Sequence, residues 1–341
     1  MKSEFIKNKK LETVLEEYPF LEDYFKDNLI DIDRSKSLNE IVLAYAKEEL
    51  AEKGIDRERF FEDTEIFLDQ MKHILGIDNE SIEEMSILPG INKNGERENF
   101  EIITIKKGEI ISIVGPTGSG KSRLLADIEW GAQKDTPTQR QILINGKTLD
   151  RKERFSIENK LVAQLSQNMN FVMDLSVEEF LQLHAKSRMV KNEKEIVEKI
   201  FIKANELAGE KFALSSPVTS LSGGQSRALM IADTAILSAS PVVLIDEIEN
   251  AGIDRKKALE LLTGEEKIVL MATHDPLLAL MGNKRIVISN GGIEKIIEIT
   301  DQEREILTDL RKLDKILQKM RNKLRYGEEL KLNLLEELNL E

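Results

Sequence analysis

Three short stretches of this chain carry residues whose types and spacing suit phosphate chemistry. The first is GPTGSGKS: Gly115, Pro116, Thr117, Gly118, Ser119, Gly120, Lys121 and Ser122, followed by Arg123. It fits GxxxxGK(S/T), with an apolar run, IISIV, leading in and an amphipathic stretch leading out. Glycines let the backbone curl with its amides inward, so a β-phosphate can sit in a nest at a helix N-terminus. Lys121 would reach the β- and γ-phosphates of a nucleoside triphosphate, and the Ser122 hydroxyl would hold Mg2+. The strand and helix on either side argue against an accidental glycine turn.

The second stretch is PVVLIDE, residues 241 to 247. Its apolar residues read as a strand buried on both faces, with two carboxylates at the C-terminal end, where ligands bind in open α/β sheets. Asp246 is expected to support Mg2+, and Glu247 to polarise the attacking water or accept its proton. The third stretch is LSGGQSRALM, Leu221 to Met230. Ser222 offers a hydroxyl, Gly223 and Gly224 allow close backbone approach, and a helix beginning near Gln225 would aim its positive end at an anion. The same serine would also serve as an ordinary helix N-cap, and the two roles are compatible.

These stretches need a scaffold. From about residue 86 to 298, short β runs (FEIITI, EIISIVG, QILING, VVLIDE, KIVLMAT, RIVIS) alternate with helical stretches, which implies a mostly parallel sheet with crossovers. Residues 1–85 read as short amphipathic helices (ETVLEEY, SLNEIVLAYAKEEL, ERFFEDTEIFLDQMKHIL), and the turn-rich SILPGINKNGERENF reads as the junction. Residues 299–341 are helical again. There Ile306, Leu310, Leu313, Leu317, Met320 and Leu324 step by four and three, the seam of a short coiled coil. Gly327 interrupts the pattern, so a helical hairpin is the default expectation, with a self-pairing or partner-pairing helix as the alternative.

Composition sets limits. With 341 residues and 41% hydrophobic content the chain can form a core of two or three domains. It has no cysteine, which excludes disulfides and thiolate chemistry and is compatible with the expected cytoplasmic location. Neither a secretory signal nor a membrane span is expected. Residues 1–90 hold 12 Lys and Arg against 23 Asp and Glu, a balance of −11 that leaves only −2 of the total −13 for the rest. No nucleic-acid partner is expected from such a surface. His73 and His184 stand alone on helical stretches and read as packing or surface residues.

Taken in order, GPTGSGKS, AQLSQNMNFVMDLSVEEF, LSGGQ, LIDE, ENAGID and MATHD resemble the motifs of ATP-binding cassette ATPases over roughly residues 86–298. The resemblance implies an α/β P-loop NTPase of that type, a mostly parallel sheet with antiparallel β and helical subdomains, flanked by the N-terminal helical domain and the C-terminal helices. It also implies ATP and Mg2+ as ligands. Gln167 resembles the glutamine that touches Mg2+ and the attacking water, with Gln164 as its rival. His274 matches the switch histidine that contacts the γ-phosphate, and the segment from Asn250 to Asp254 looks like the loop that crosses between subunits. In this family Ser222, Gly223, Gly224 and Gln225 would close over the triphosphate held by the P-loop of a second protomer. One P-loop and one signature per chain therefore imply an ATP-dependent homodimer.

The sequence departs from the family at three places. No aromatic residue lies between Ser86 and Asn99 to stack on adenine, Ile248 and Glu249 stand where Pro-Thr is common, and Arg227 comes one place early. Residues 1–75 are also similar to a small helical domain found beside iron-sulfur and redox-repair proteins, although the central turn DNLIDIDRSKS lacks the cysteine common there. The expected role is a soluble ATPase that drives conformational change in a protein partner, for example in enzyme activation or maturation. The alternative is the ATP-binding subunit of a transporter with a separately encoded membrane permease. A DNA-maintenance ATPase ranks third.

Overall fold

The computed structural model describes residues 6–75, 82–154, 160–166, 171–190, 192–246, 248 and 252–330. The acidic N-terminal residues form α1 (Leu11–Glu17), α2 (Leu21–Asp27), α3 (Leu38–Ala44), α4 (Lys47–Glu52) and α5 (Arg57–Leu75). Ser37 starts α3 with a reciprocal capping box to Glu40, and the stretch expected as one helix from Ser37 to Leu50 is broken at extended Tyr45. Their apolar faces build a separate core around Leu11, Leu21, Phe25, Leu38 and Phe60, in which Tyr24 stacks on Phe67 with ring centroids 4.2 Å apart.

Two sheets follow. An antiparallel one, in the order β2-β1-β4-β5, comprises β1 (Glu84–Leu88), β2 (Ile103–Lys106), β4 (Gln141–Ile144) and β5 (Lys147–Thr148). The turn-rich stretch expected as a junction thus lies inside this sheet: Ser86 to Leu88 are strand, and Ile91 bridges to Arg97 around a tight loop. The second sheet is built from β3 (Ile110–Val114), β6 (Val162–Leu165), β7 (Val242–Asp246), β8 (Ile268–Ala272), β9 (Lys284–Ser289) and β10 (Gly292–Glu298). Its order is β10-β9-β3-β8-β7-β6, parallel from β9 to β6 and closed at one edge by the antiparallel β9–β10 hairpin. β7 and β8 are buried along nearly their whole length, as strands covered on both faces must be.

Helices α6 (Lys121–Glu129) and α7 (Arg151–Arg154) belong with the strands, while α8 (Val177–Ser187), α9 (Glu193–Leu207) and α10 (Gly223–Ile236) share a helical core of Val177, Leu181, Ile200, Ala204 and Leu229. α11 (Arg255–Gly264) and α12 (Pro276–Met281) return the chain to the sheet, and α13 (Asp301–Arg325) ends the described residues as a single long helix. The hairpin expected beyond Gly327 falls mainly on residues outside those described. Among the described residues no helix is long and apolar enough to cross a membrane.

Candidate functional site

Strand order creates the site. β3, β8 and β7 are neighbours and parallel, so their carboxyl ends open on one edge of the sheet. Ile113, Ala272 and Asp246 are aligned across the three strands, and the Thr273 amide donates to the Ile113 carbonyl at 3.1 Å. β3 therefore delivers Gly115–Ser122, β8 delivers His274, and β7 delivers Asp246 to adjacent places. β6 lies beside β7 and leads toward Gln167, but Gln167 and Glu247 both fall outside the described residues. Gln164 is an exposed residue within β6, opposite Leu244.

The P-loop is shaped by close approach to a hairpin. A Cβ on Gly115 would lie 2.4 Å from the Ile288 carbonyl oxygen, and one on Gly120 would lie 2.7 Å from the Gly291 Cα. Gly120 also sits at φ 114° as the residue preceding α6. Asn290 and Gly291 both take positive φ at the β9–β10 turn, and the Gly291 amide donates to the Ser119 carbonyl at 2.6 Å. Pro116, Thr117 and Gly118 are exposed at the loop tip, with Ser122 and Arg123 exposed in the first turn of α6. The amides of Lys121 and Ser122 precede the helical hydrogen-bond ladder of α6, which begins with the Arg123 and Leu124 amides on the Gly120 carbonyl.

Charge is gathered at this loop. Lys121 donates from Nζ to the carbonyls of Gly115 at 2.8 Å and Pro116 at 3.3 Å, and lies 3.1 Å from His274 Nε2. An ammonium can only donate, so Nε2 is the unprotonated nitrogen in that contact. Lys93, which the motifs did not flag, reaches across Gly291 and donates to the Gly118 carbonyl at 3.2 Å. Among the described residues Ser119 Oγ is buried with no hydrogen-bond partner, a polar atom open to a ligand. Open glycines, two ammonium groups and an orphan hydroxyl together fit a nucleotide triphosphate with its cation.

Beneath the loop lies a buried ion cluster that the sequence concealed. Arg140, fully buried, donates to Glu98, to Asp127 of α6 at 2.8 Å, and to the Gly291 carbonyl at 3.0 Å. Glu98 accepts in turn from the amides of Gly90 and Ile293. One guanidinium thus ties the P-loop helix, the antiparallel sheet and the hairpin turn into a single unit. A charged residue before a β run gives no outward sign of such burial.

The signature lies elsewhere. Ser222 caps α10: its amide donates to Gln225 Oε1 at 2.9 Å and its Oγ accepts from the Gln225 amide at 3.4 Å. Gln225 Nε2 anchors the turn to the carbonyls of Glu210 and Lys211. In the boxes starting α3 and α8 the serine hydroxyl also donates to a glutamate: Ser37 to Glu40 at 3.0 Å and Ser176 to Glu179 at 2.7 Å. With the neutral Gln225 in that place, Ser222 Oγ donates to no acceptor among the described residues, and the helix start carries no carboxylate to repel an anion. Ser222 and Gly223 are exposed, and a Cβ on Gly223 would meet nothing within 4 Å.

Asp254 is exposed and caps α11 by accepting from the Lys257 amide at 3.1 Å. Its neighbour Arg255 pairs with Asp275, the residue after His274, and with Asp314 of α13 at 2.8 Å. His184 lies 2.9 Å from Asp233, joining α8 to α10, and the side chain of His73 is outside what is described.

A parallel sheet presenting a P-loop, a strand-end aspartate and a histidine at one edge, with a helical subdomain inserted before β7, defines a P-loop ATPase with a separate signature helix. The family model described as "ABC transporter" matches residues 102–250. An ABC transporter ATP-binding protein of Methanocaldococcus jannaschii is 53% identical over 249 residues, spanning 73% of this chain and 95% of that one. A lipoprotein-releasing system ATP-binding protein of Ehrlichia chaffeensis is 30% identical over 207 residues, 55% of this chain and 82% of that one. Among solved structures, cbiO1 from Clostridium perfringens, described as part of the ABC transporter complex cbiONQ, is 23% identical with a TM-score of 0.50, covering 71% of this chain and 99% of that one; this likeness concerns the fold. The chain belongs to the ABC transporter ATP-binding protein family. It is an ATP-binding hydrolase that uses ATP and Mg2+.

Proposed function

We propose that two copies of this chain bind two ATP molecules between the P-loop of one and the signature of the other, and that hydrolysis drives a separately encoded membrane permease. The observation that carries the dimer is the separation within one chain. The P-loop bonds to Gly291, Lys93 and His274, whereas the signature bonds to Glu210 and Lys211, and the two belong to different cores. Each half presents a hydroxyl, Ser119 Oγ or Ser222 Oγ, that donates to no acceptor among the described residues.

In this reading Lys121, Ser119 and the loop amides hold the phosphates, with Pro116, Thr117 and Arg123 at the rim, and Ser122, Asp246 and Gln167 hold Mg2+, which would neutralise charge on the β- and γ-phosphates. Glu247 orients the attacking water and His274 senses the γ-phosphate from its place beside Lys121. Ser222 donates its hydroxyl, and the amides of Gly223 and Gly224 face the second copy's γ-phosphate. Asp254 lies at the chain crossing. Lys93, bonded to the Gly118 carbonyl, supplies a second positive charge at the loop tip.

The partner is the point at which the sequence expectation shifts. A soluble enzyme-activating role was the first reading, but the relatives' descriptions name transporter ATP-binding proteins, which favours the permease. An apolar surface is available for docking where the helical subdomain begins: Val172 is 93% exposed and Met173 41%, while Phe171 packs on Phe180. Met169 lies outside the described residues. Residues 1–85 and 299–341 would then be appended modules on the 86–298 cassette, which places the protein peripherally at the cytoplasmic face of the membrane.

Glu247→Gln should slow hydrolysis on the order of 10²-fold or more, the scale of losing a positioned general base, and trap a closed dimer with ATP. Gel filtration of that variant with and without ATP checks this, read by the ATP retained per chain as well as by elution. A variant that hydrolyses at the wild-type rate, or that ATP leaves wholly monomeric, would sink the two-chain site.

A further inference from the structure

α13 is held to the cassette by two ion pairs on the side that also carries Leu307, while Ile316, half a turn round the helix, is buried on the opposite side. Leu307 and Ile316 are buried, Glu303 pairs with Arg285 at 2.8 Å, and Asp314 pairs with Arg255 at 2.8 Å. Ile306, Leu310, Leu313, Leu317, Met320 and Leu324 fall within about 40° of one direction around the helix, because steps of four and three advance about 400° and 300°. Ile306, Leu313, Leu317 and Leu324 are each more than half exposed, at 53%, 51%, 51% and 59%. Leu310 and Met320 are half-buried, so the seam is open to water at its centre and at both ends.

The charges on the helix say what fits it. Residues 301–310 hold four acidic side chains against one basic, and residues 311–325 hold seven basic against one acidic. Two parallel copies would set basic half against basic half. Two antiparallel copies set acidic half against basic half, and the seam closes in that orientation: Leu313 meets Leu317 of the second copy, Leu310 meets Met320, and Ile306 meets Leu324. In the same register Asp309 comes beside Lys323. The arrangement is self-complementary about a two-fold axis, as an isologous contact requires.

We propose that α13 pairs antiparallel with α13 of a second copy of this chain through this stripe, a two-chain contact that needs no nucleotide. It is separate from the ATP-closed interface and uses none of the residues assigned to it. It tethers two cassettes between cycles of closure. Through Asp314 and Arg255 the paired helix reaches the residues that directly follow Asp254 and His274.

Sedimentation velocity of the full chain without nucleotide tests the pairing. The wild type is expected to dimerise, and Leu313→Glu/Leu317→Glu, changed only at exposed positions, to raise the dissociation constant about tenfold or more, the scale of losing two anchors from an interface. A wild-type chain that remains monomeric, or a variant that dimerises equally well, overturns the proposal. Because the chain has no cysteine, orientation can be read by cross-linking. Oxidising a mixture of Leu313→Cys and Leu317→Cys chains should give a mixed disulfide dimer, and Leu313→Cys alone should give little; the reverse outcome overturns the antiparallel order. If a chain ending at residue 330 dimerises while the full chain does not, residues 331–341 cover the stripe instead, and the proposal fails. With ATP absent throughout, failure of the nucleotide-closed dimer leaves these readouts unchanged.

Discussion

The P-loop and the signature are both turns at the start of a helix, yet they are built in opposite ways. The P-loop is braced from behind: the hairpin turn closes on Gly115 and Gly120, and Arg140 locks that turn to α6 and the antiparallel sheet. Among the described residues the signature turn is braced by a capping box and two long bonds from Gln225, and Gly223 is left open on its outer side. A site that must hold a triphosphate through a cycle benefits from preorganisation within one chain, because fixed dipoles need no rearrangement when charge arrives. A surface that must meet and leave a second molecule benefits from having its own bonds satisfied and its remaining donors exposed. Under the proposed two-chain site, the braced loop is the half that this chain keeps and the exposed signature is the half that it lends.

The largest effect that would break this contrast is at the P-loop. Lys121→Ala should lower ATP turnover on the order of 10²–10³-fold, as removal of a preorganised charge donor does, and a steady-state ATPase assay within tenfold of wild type would contradict the assignment. Mixing chains sharpens it. Lys121→Ala and Gly223→Asp chains should each be inactive alone, but combined equally they should recover roughly a quarter of wild-type activity, because half the dimers are mixed and each has one intact site. No recovery on mixing would mean that the signature serves its own chain.

The brace should matter to folding more than the cap does. Arg140→Ala leaves two buried carboxylates without their cation and is expected to cost about 3–5 kcal/mol in urea unfolding, whereas Ser222→Ala should cost about 1 kcal/mol. Equal losses would remove the distinction between the two turns. The smallest effect is on α13. The Arg285 guanidinium, followed by the Thr300 amide, holds the Glu303 carboxyl below its ordinary value of 4.5. Its contribution to docking is therefore fully present above about pH 4.5 and is lost only as the pH falls through the lowered folded value. Hydrogen-exchange protection along α13, taken relative to the intrinsic exchange rate at each pH, should stay flat from about pH 8 to 5, and a loss of protection near pH 6 would contradict the pairing.

Much of the site was legible because its chemistry is local in the chain. Strand, glycine loop, lysine and helix are contiguous from Ile110 to Glu129, and so are Ser222 to Gln225 with their helix. Strand β1 was harder to read: Glu84 to Leu88 is short and adjoins turn formers, and only its pairing with β2 and β4 makes it a strand. α13 shows both sides. Its seam is plain from spacing, but which residues face the cassette depended on Arg255 and Arg285, which lie far away in sequence.

By itself the sequence determined the covalent grammar: one P-loop, one signature, an α/β core, an acidic helical N-terminal segment and no thiol chemistry. Those follow from side-chain identity, short-range spacing and periodicity, which act within a few residues. Only the tertiary structure decided that His274 sits against Lys121, that Lys93 and Gly291 flank the phosphate loop, and that Arg140 is a buried hub rather than a surface charge. Each of those contacts joins residues separated by anywhere from 13 to more than 150 positions, and such pairs meet only because strand order brings them together, which no local pattern encodes.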